Sequence, residues 1–297
     1  MTNQPFTQLC AALHRPRYFG RVDLHMHTTF SDGRYTPAQI VSLAQRSGLS
    51  AIAITDHDTL GAIAGARLMT TSELEIISGV EITAEYRGKE LHLLGYFFDV
   101  DNEALTQALD RLRIDRIGRF HEMIARLRAL GVPISEADVA ALPTDTALGR
   151  RHLADLIVRA KRASTIRDAF QRWLGDNCRA AVPKTRLPVA DAIMRVRDAG
   201  GVASWAHPPH DSTREQLANL HSLGLGAVEV EYPTIKASRA KQLRQWADEL
   251  GLAISGGSDC HGPDEPHRAV GASTIHRDEL ERLRAFSRST LASAEPG

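Results

Sequence analysis

The chain has 297 residues and 32.6 kDa, 43% of them hydrophobic and 24% charged, enough for one large α/β domain or two small ones. That composition excludes disordered, collagen-like and coiled-coil chains. Lys+Arg and Asp+Glu both total 36, with a pI near 7.2, so nothing global favours stable binding to duplex DNA or to an anionic membrane; an anionic substrate has to be met locally.

Three scattered cysteines, Cys10, Cys178 and Cys260, argue against a disulfide framework and for a reducing compartment, so a cytoplasmic location is expected. Before Gly20 the only apolar run is Leu9–Leu13, with no basic residue ahead of it, so no export signal or membrane span is expected. The unusual feature is histidine: there are 13, several beside Asp or at the ends of apolar runs.

In chain order, Arg21–His25 alternates as a strand and breaks into a polar loop, and Thr36-Pro37 opens a helix that Gly48 ends. A second strand, Ser50–Thr55, leads to Asp56-His57-Asp58, and a helical pattern covers Leu60–Met69. A third apolar run, Glu75–Ser78, precedes Gly79-Val80-Glu81, and a fourth, Glu90–Phe97, contains His92. From residue 100 to 183 the pattern is helical only, with runs at Glu103–Leu130, Arg151–Arg162 and Thr165–Leu174, which reads as an insertion. Alternation then resumes: helix Val189–Ala199, strand Val202–Ala206, helix Arg214–Leu223, strand Ala227–Glu231, helix Ala237–Leu250 and strand Leu252–Ser255, with a tail expected to fray beyond Ala285.

Repeated β-then-α units imply parallel strands, right-handed crossovers and a site at the strand C-termini. A barrel is favoured over an open sheet, because ligand-type residues from at least six strand ends must converge on one point. His25 and His27, at i and i+2, project to one side of a strand end, within reach of Asp32 on the next loop. His57 lies between two aspartates suited to orienting it, Asp56 and Asp58. Glu81 and His92 each admit a plain structural role when taken singly. His207 follows a strand in Ala206-His207-Pro208, and Asp259 and His261 alternate in Gly-Ser-Asp-Cys-His-Gly (Gly257–Gly262), which turns Cys260 away. Jointly, six histidines, two aspartates and a glutamate exceed what one ion uses. They suit two or three divalent ions, Mn²⁺ first, with Fe²⁺ or Zn²⁺ as alternatives.

These motifs, Asp23–Gly33, Ile54–Thr59, Gly79–Ile82, His92–Gly95, Ala206–Pro208 and Gly257–Gly262, stand in the order of the PHP (polymerase and histidinol phosphatase) family, which the chain resembles over residues 21–270. The resemblance implies a distorted (β/α)₇ barrel with an inserted helical lid: a barrel of 21–99 and 184–286, a lid of 100–183, an N-terminal extension of 1–20 and a tail of 287–297. It also implies a trinuclear metal site of His25, His27, Asp32, His57, Glu81, His92, His207, Asp259 and His261, with Glu81 bridging. The subgroup it looks like removes the 3′-phosphate of nucleoside 3′,5′-bisphosphates or trims short RNA from the 5′ end, and Arg150 and His152 match its phosphate-contacting Arg-x-His. Two stretches depart from that pattern, Asn177–Ala181 and Pro209-His210, where the distal phosphate or base would be held.

Residues 100–190 hold 16 Lys+Arg against 11 Asp+Glu, and Arg111, Arg113, Arg116, Arg119 and Arg126 in the lid form either a phosphate rail or a solvated helix face. The implied reaction is hydrolysis of a phosphate ester by metal-activated hydroxide, with a nucleotide or short RNA as partner. Arg150, His152 and Lys184 would orient the substrate, Asp259 would be catalytic as well as a ligand, and His210 or a metal-bound water would protonate the leaving group. The alternatives are a phosphatase for another phosphomonoester such as histidinol phosphate, a non-catalytic metal-binding partner module, and C–N hydrolysis on a related barrel.

Overall fold

The structure is a computed structural model that describes residues 20–144 and 146–292, with side chains to Ser287. Residues 1–19 of the expected extension, including Cys10, and the last five residues of the expected tail lie outside the described residues. The elements are β1 (Arg21–Asp23), α1 (Pro37–Arg46), β2 (Ala51–Ile54), α2 (Gly61–Met69), β3 (Glu75–Tyr86), β4 (Lys89–Tyr96), α3 (Glu103–Ala129), α4 (Glu136–Ala140), α5 (Arg150–Arg159), α6 (Ile166–Ala169), β5 (Leu187–Pro188), α7 (Val189–Asp198), β6 (Val202–Trp205), α8 (Arg214–Ser222), β7 (Ala227–Glu231), α9 (Ala237–Leu250), β8 (Ala253–Gly256), β9 (Ile275–His276) and α10 (Arg277–Ala292).

The strands run in the order β8-β7-β6-β4-β3-β2-β1-β9. The Leu24 N–H donates to the Gly256 carbonyl at 3.1 Å and the His27 N–H to that of Cys260 at 2.9 Å, which closes β1 onto β8. The closed ring is therefore a seven-stranded barrel. β9 pairs antiparallel with the far side of β1, and β5 pairs with β3.

The all-parallel expectation needs correcting at β4, which is antiparallel to both β3 and β6. The cause is a hairpin: β3 continues eight residues past Ser78 to Tyr86, and Arg87 (φ 52°) and Gly88 (φ 77°) turn the chain straight back. Arg-Gly is a weaker hairpin signal than Asn-Gly, so the sequence gives little warning. As a result Glu81 and His92 lie inside strands rather than at strand ends, with His92 opposite Thr83.

Local chemistry explains the helices. In α1, Thr36 and Gln39 form a capping box ahead of Pro37, and Ile40, Val41 and Ala44 face inward. The helix α3 serves two cores. Leu105, Leu109 and Leu112 pack into the barrel cluster with Val80, Ile82, Leu93 and Val196, whereas Phe120, Met123, Ile124 and Leu127 pack with Leu153, Leu156, Ile157, Leu174 and Val182 in a separate one. The change of core therefore falls within the helix, beyond the residue-100 boundary read from the pattern. The final helix runs to Ala292, past the fraying expected after Ala285: after the buried Leu280 and Leu283, Phe286 packs against the same cluster and Ser287 is buried. No helix among the described residues is long and apolar enough to cross a membrane.

Candidate metal centre and active site

The backbone around the barrel mouth is held by buried polar contacts. Asp23 accepts from the N–H groups of Ser258 (2.9 Å), Gly271 (2.8 Å) and His25 (3.3 Å), and burial nevertheless pushes its carboxyl up to about 6. Glycine is required at Gly257, where a Cβ would stand 2.3 Å from the His25 nitrogen, and at Gly33, where it would stand 2.3 Å from the His27 carbonyl oxygen. Asp58 (φ 54°), His207 (φ 28°) and Asp259 (φ 48°) adopt left-handed backbone, a strain of about 1–3 kcal/mol each that persists where the surroundings over-determine it.

All nine expected ligands come together. His27, Asp32, His57 and His261 form one group, His25, His27 and Glu81 a second, and His57, Glu81 and His92 a third, with the donor atoms of each within 4.8 Å of one another. Glu81 is the common member of two groups: its Oε2 lies 3.2 Å from His27 Nε2 and 3.3 Å from His57 Nδ1, and its Oε1 lies 2.8 Å from His92 Nδ1 and 2.9 Å from His207 Nε2. Asp259 Oδ1 stands 3.5 Å from His25 Nε2 and 3.4 Å from His27 Nε2, and His261 Nε2 stands 3.4 Å from Asp32 Oδ1. Cys260 turns away as expected and is buried with Met26, Ile40 and Ile52.

This donor set fits divalent metal ions. His27 Nε2, Asp32 Oδ1, His57 Nδ1 and His92 Nδ1 are buried and make no hydrogen bond among the described residues, an arrangement costly for polar atoms that have no further partner. Burial would raise Glu81, but His57, His92 and His25 outweigh it and hold the carboxyl well below its ordinary range. Burial, aided by Arg116 and His27, holds His57 well below its ordinary value despite Glu81 and Asp32, whereas the surrounding carboxylates raise His25, His27 and His92 in spite of their burial.

Asp56 and Asp58 are buried as expected for supporting residues, but they orient backbone and lid rather than imidazoles. Asp56 accepts from Thr28 N–H (2.6 Å), Thr28 Oγ1 (2.6 Å) and Ser31 Oγ (2.5 Å). Asp58 accepts from Thr83 N–H (2.8 Å) and from Arg116 Nη2 (2.8 Å). One carboxylate that does hold an imidazole is a residue the sequence reading missed, Glu229, whose Oε1 lies 2.9 Å from His25 Nδ1 while its Oε2 accepts the His207 N–H at 2.6 Å. The available signal was a glutamate alternating with Val228 and Val230 in a buried strand: the valines join the outer core, so Glu229 points inward. Also missed was Arg268, whose guanidinium donates to Asp259 Oδ2; no periodicity marks it.

The expected substrate contacts are arranged differently from the metal ligands. Arg150 Nη1 donates to Asp176 Oδ1 at 2.6 Å and Lys184 Nζ to Glu90 Oε1 at 2.8 Å, where Glu90 also meets His92 Nε2 at 3.0 Å. His152 is mostly buried at the start of α5, its Nδ1 accepting the Gly149 N–H at 3.1 Å. The arginine face is neither a free rail nor fully solvated: Arg116 is bound to Asp58, Arg119 donates to the Val182 carbonyl at 2.8 Å and Arg126 to that of Ala181, while Arg111 is exposed. The departing stretch Asn177–Ala181 thus packs against α3, with Ala180 in the lid core. His210 is exposed on the loop after His207, at a cleft shared with Asp259 and Arg268.

Comparison with known proteins agrees with this geometry. A family model of the PHP domain matches residues 23–135. A 5′-3′ exoribonuclease of Haemophilus influenzae is 30% identical over 82% of this chain and 90% of its own length. A 3′,5′-nucleoside bisphosphate phosphatase of Chromobacterium violaceum is 28% identical over 87% and 92%. The crystal structure of a Bifidobacterium adolescentis protein assigned as a metal-dependent phosphoesterase superposes with a TM-score of 0.82 at 31% identity, covering 89% of this chain and 96% of that one. Likeness of this extent, around a barrel mouth with the matching donor set, makes the chain a member of the PHP family and a hydrolase acting on phosphate esters.

Proposed function

We propose that the protein removes the 3′-phosphate from a nucleoside 3′,5′-bisphosphate, using two or three divalent ions held by the nine barrel residues, Mn²⁺ first among them. The observation that carries this reading is the set of four buried atoms able to bind a metal, on His27, Asp32, His57 and His92, that make no hydrogen bond among the described residues. Such ions, when bound, supply hydroxide near neutral pH and neutralise the phosphoryl oxygens.

The chain's own residues do the rest. Glu81 faces imidazoles from both sides and would hold divalent ions together with them, and Glu229 fixes the ring of His25 through its Nδ1. Arg268 holds the outer oxygen of Asp259, so the inner one stays turned toward His25 and His27. Arg116 and His152 bring the lid to the cluster from the side of Asp32, and Arg150 and Lys184 would reach the phosphate by exchanging Asp176 and Glu90 for it. His210, at the cleft beside Asp259, is placed to protonate the departing oxygen.

A cleft of about 370 Å³ beside the ligands suits a mononucleotide. The second reading, 5′-to-3′ trimming of short RNA, is favoured by the similarity to the exoribonuclease. The deciding assay supplies Mn²⁺ with adenosine 3′,5′-bisphosphate and with a short 5′-phosphorylated RNA, using Asp259→Ala as control. Phosphate release from the bisphosphate, lost in the variant, supports the first reading; mononucleotide release from RNA alone supports the second. Inactivity on both with metal bound overturns the nucleotide assignment.

A further inference from the structure

Glu229 has a counterpart on the other side of the centre. On β4, Glu90 and His92 are two residues apart and therefore project to one face of the strand. Glu90 Oε1 lies 3.0 Å from His92 Nε2. The other ring nitrogen, Nδ1, is buried, makes no hydrogen bond among the described residues, and faces the cluster 2.8 Å from Glu81 Oε1. With the Nε2 proton directed at Glu90, Nδ1 is the atom left to face an ion. At His25 the arrangement is reversed: Nδ1 meets Glu229, and Nε2 faces Glu81 and Asp259.

Glu90 is itself held in place. In the register of the hairpin it stands directly opposite Glu85, a pairing of like charges that ordinarily weakens a sheet. Arg186 offsets it, with Nε 3.2 Å from Glu90 Oε2 and Nη1 3.7 Å from Glu85 Oε2. The pairing of β5 with β3, Leu187 beside Ala84 and Pro188 beside Glu85, fixes the arginine at this edge. Lys184 Nζ donates to Glu90 Oε1, the same oxygen that meets His92. The two oxygens are thus held separately: when Lys184 turns to a phosphate, Oε1 is left to His92 while Arg186 keeps Oε2. Glu85, on the same arginine, meets no imidazole among the described residues, so an ion pair at this edge does not by itself require a carboxylate on a metal-facing ring.

We propose that Glu90 is a positioning residue of the metal centre, fixing the ring of His92 so that its Nδ1 faces the ions, with Arg186 as the brace that keeps the carboxylate aimed. The inference rests on the reading of the barrel mouth as a metal centre and deepens it. Glu90 touches neither ion nor substrate in this role; it acts through His92. The reversal of β4 therefore supplies a ligand and its support from one short stretch of chain, whereas His25 takes its support from a strand 204 residues away.

The test measures Mn²⁺ binding by calorimetry in the wild type, in Glu90→Ala and Glu90→Gln, and in each of these combined with Arg186→Met, which restores the net charge of the wild type. One class of Mn²⁺ is expected to bind roughly 10–100-fold more weakly in Glu90→Ala and less so in Glu90→Gln, which keeps an oxygen facing His92. Arg186→Met is expected to repair neither loss, because the ring of His92 stays unsupported by a carboxylate. Glu85→Gln removes the opposite charge on the same arginine, away from His92, and is expected to keep the affinity of the wild type. Unchanged affinity in Glu90→Ala overturns the proposal, and unchanged affinity in Glu90→Gln does so where the alanine variant does not fold. Full recovery with Arg186→Met, which reduces the effect to charge alone, or an equal loss in Glu85→Gln, overturns it as well. These outcomes leave the metal reading intact, whereas a wild type that binds no Mn²⁺ overturns that reading and the proposal together.

Discussion

The barrel mouth and the lid treat their polar residues in opposite ways. At the mouth, buried imidazoles and carboxylates point at one another with atoms left unpartnered, in strained backbone and against glycines that tolerate no Cβ. In the lid, the basic residues nearest the site are paired with acids or backbone carbonyls and surround an apolar core of their own. The difference teaches where the chemistry is fixed: the mouth is organised for a ligand the protein must acquire, whereas the lid is already satisfied and contributes by its position.

Several substitutions break or sharpen this contrast. Glu81→Gln and Asp259→Ala should each lower kcat by about 10³-fold, the equivalent of several kcal/mol of lost charge stabilisation, and reduce bound Mn²⁺ measured by elemental analysis. Normal turnover in either would end the reading of the mouth as a metal centre. Glu229→Gln leaves the ligand set complete but removes the carboxylate behind His25, so a loss of roughly 10–100-fold in Mn²⁺ affinity is expected by calorimetry. Unchanged affinity would show that His25 needs no support.

In the lid and at its junction with the barrel, the expected losses fall on stability and binding. Arg116→Ala strands the buried Asp58 and should cost about 3 kcal/mol in chemical denaturation, because an uncompensated buried charge is left behind. Lys184→Ala should raise KM by about 3–10-fold with kcat nearly unchanged; a comparable fall in kcat would move this lysine into the mouth's machinery.

The smallest effect is one of pH. Burial and Arg116 hold His152 below its ordinary value of 6.5. The unfolded chain therefore binds this proton first as pH falls, so its contribution to stability is complete above pH 6.5 and declines on acidification through the folded pKa. An NMR titration should find the midpoint of this ring below 6.5, and a midpoint at or above 6.5 would contradict its buried setting.

What the sequence made legible follows the same division. The candidate ligands stand out in the sequence because metal chemistry needs particular residue types at strand-compatible spacing, as in His25/His27 and Asp259/His261, and because glycines flank them. The β-then-α rhythm revealed the barrel, but one Arg-Gly hairpin reversed β4, since a two-residue turn adds no change of composition to the pattern. Glu229 and Arg268 were hidden for other reasons: Glu229 acts on His25, far away in the chain and brought to it by the barrel, and Arg268 reaches back to Asp259 across an irregular loop that has no periodicity to mark it. The ion pairs of Arg150 and Lys184 were equally invisible, because Asp176 and Glu90 are ordinary surface acids until the lid folds down.

The most direct test of the account is anomalous X-ray scattering at the manganese edge from crystals of the wild-type protein grown with Mn²⁺. The account predicts two or three peaks within the cluster of His25, His27, Asp32, His57, Glu81, His92, His207, Asp259 and His261, one pair of them flanking Glu81. Saturating Mn²⁺ with no peak inside that cluster would contradict it.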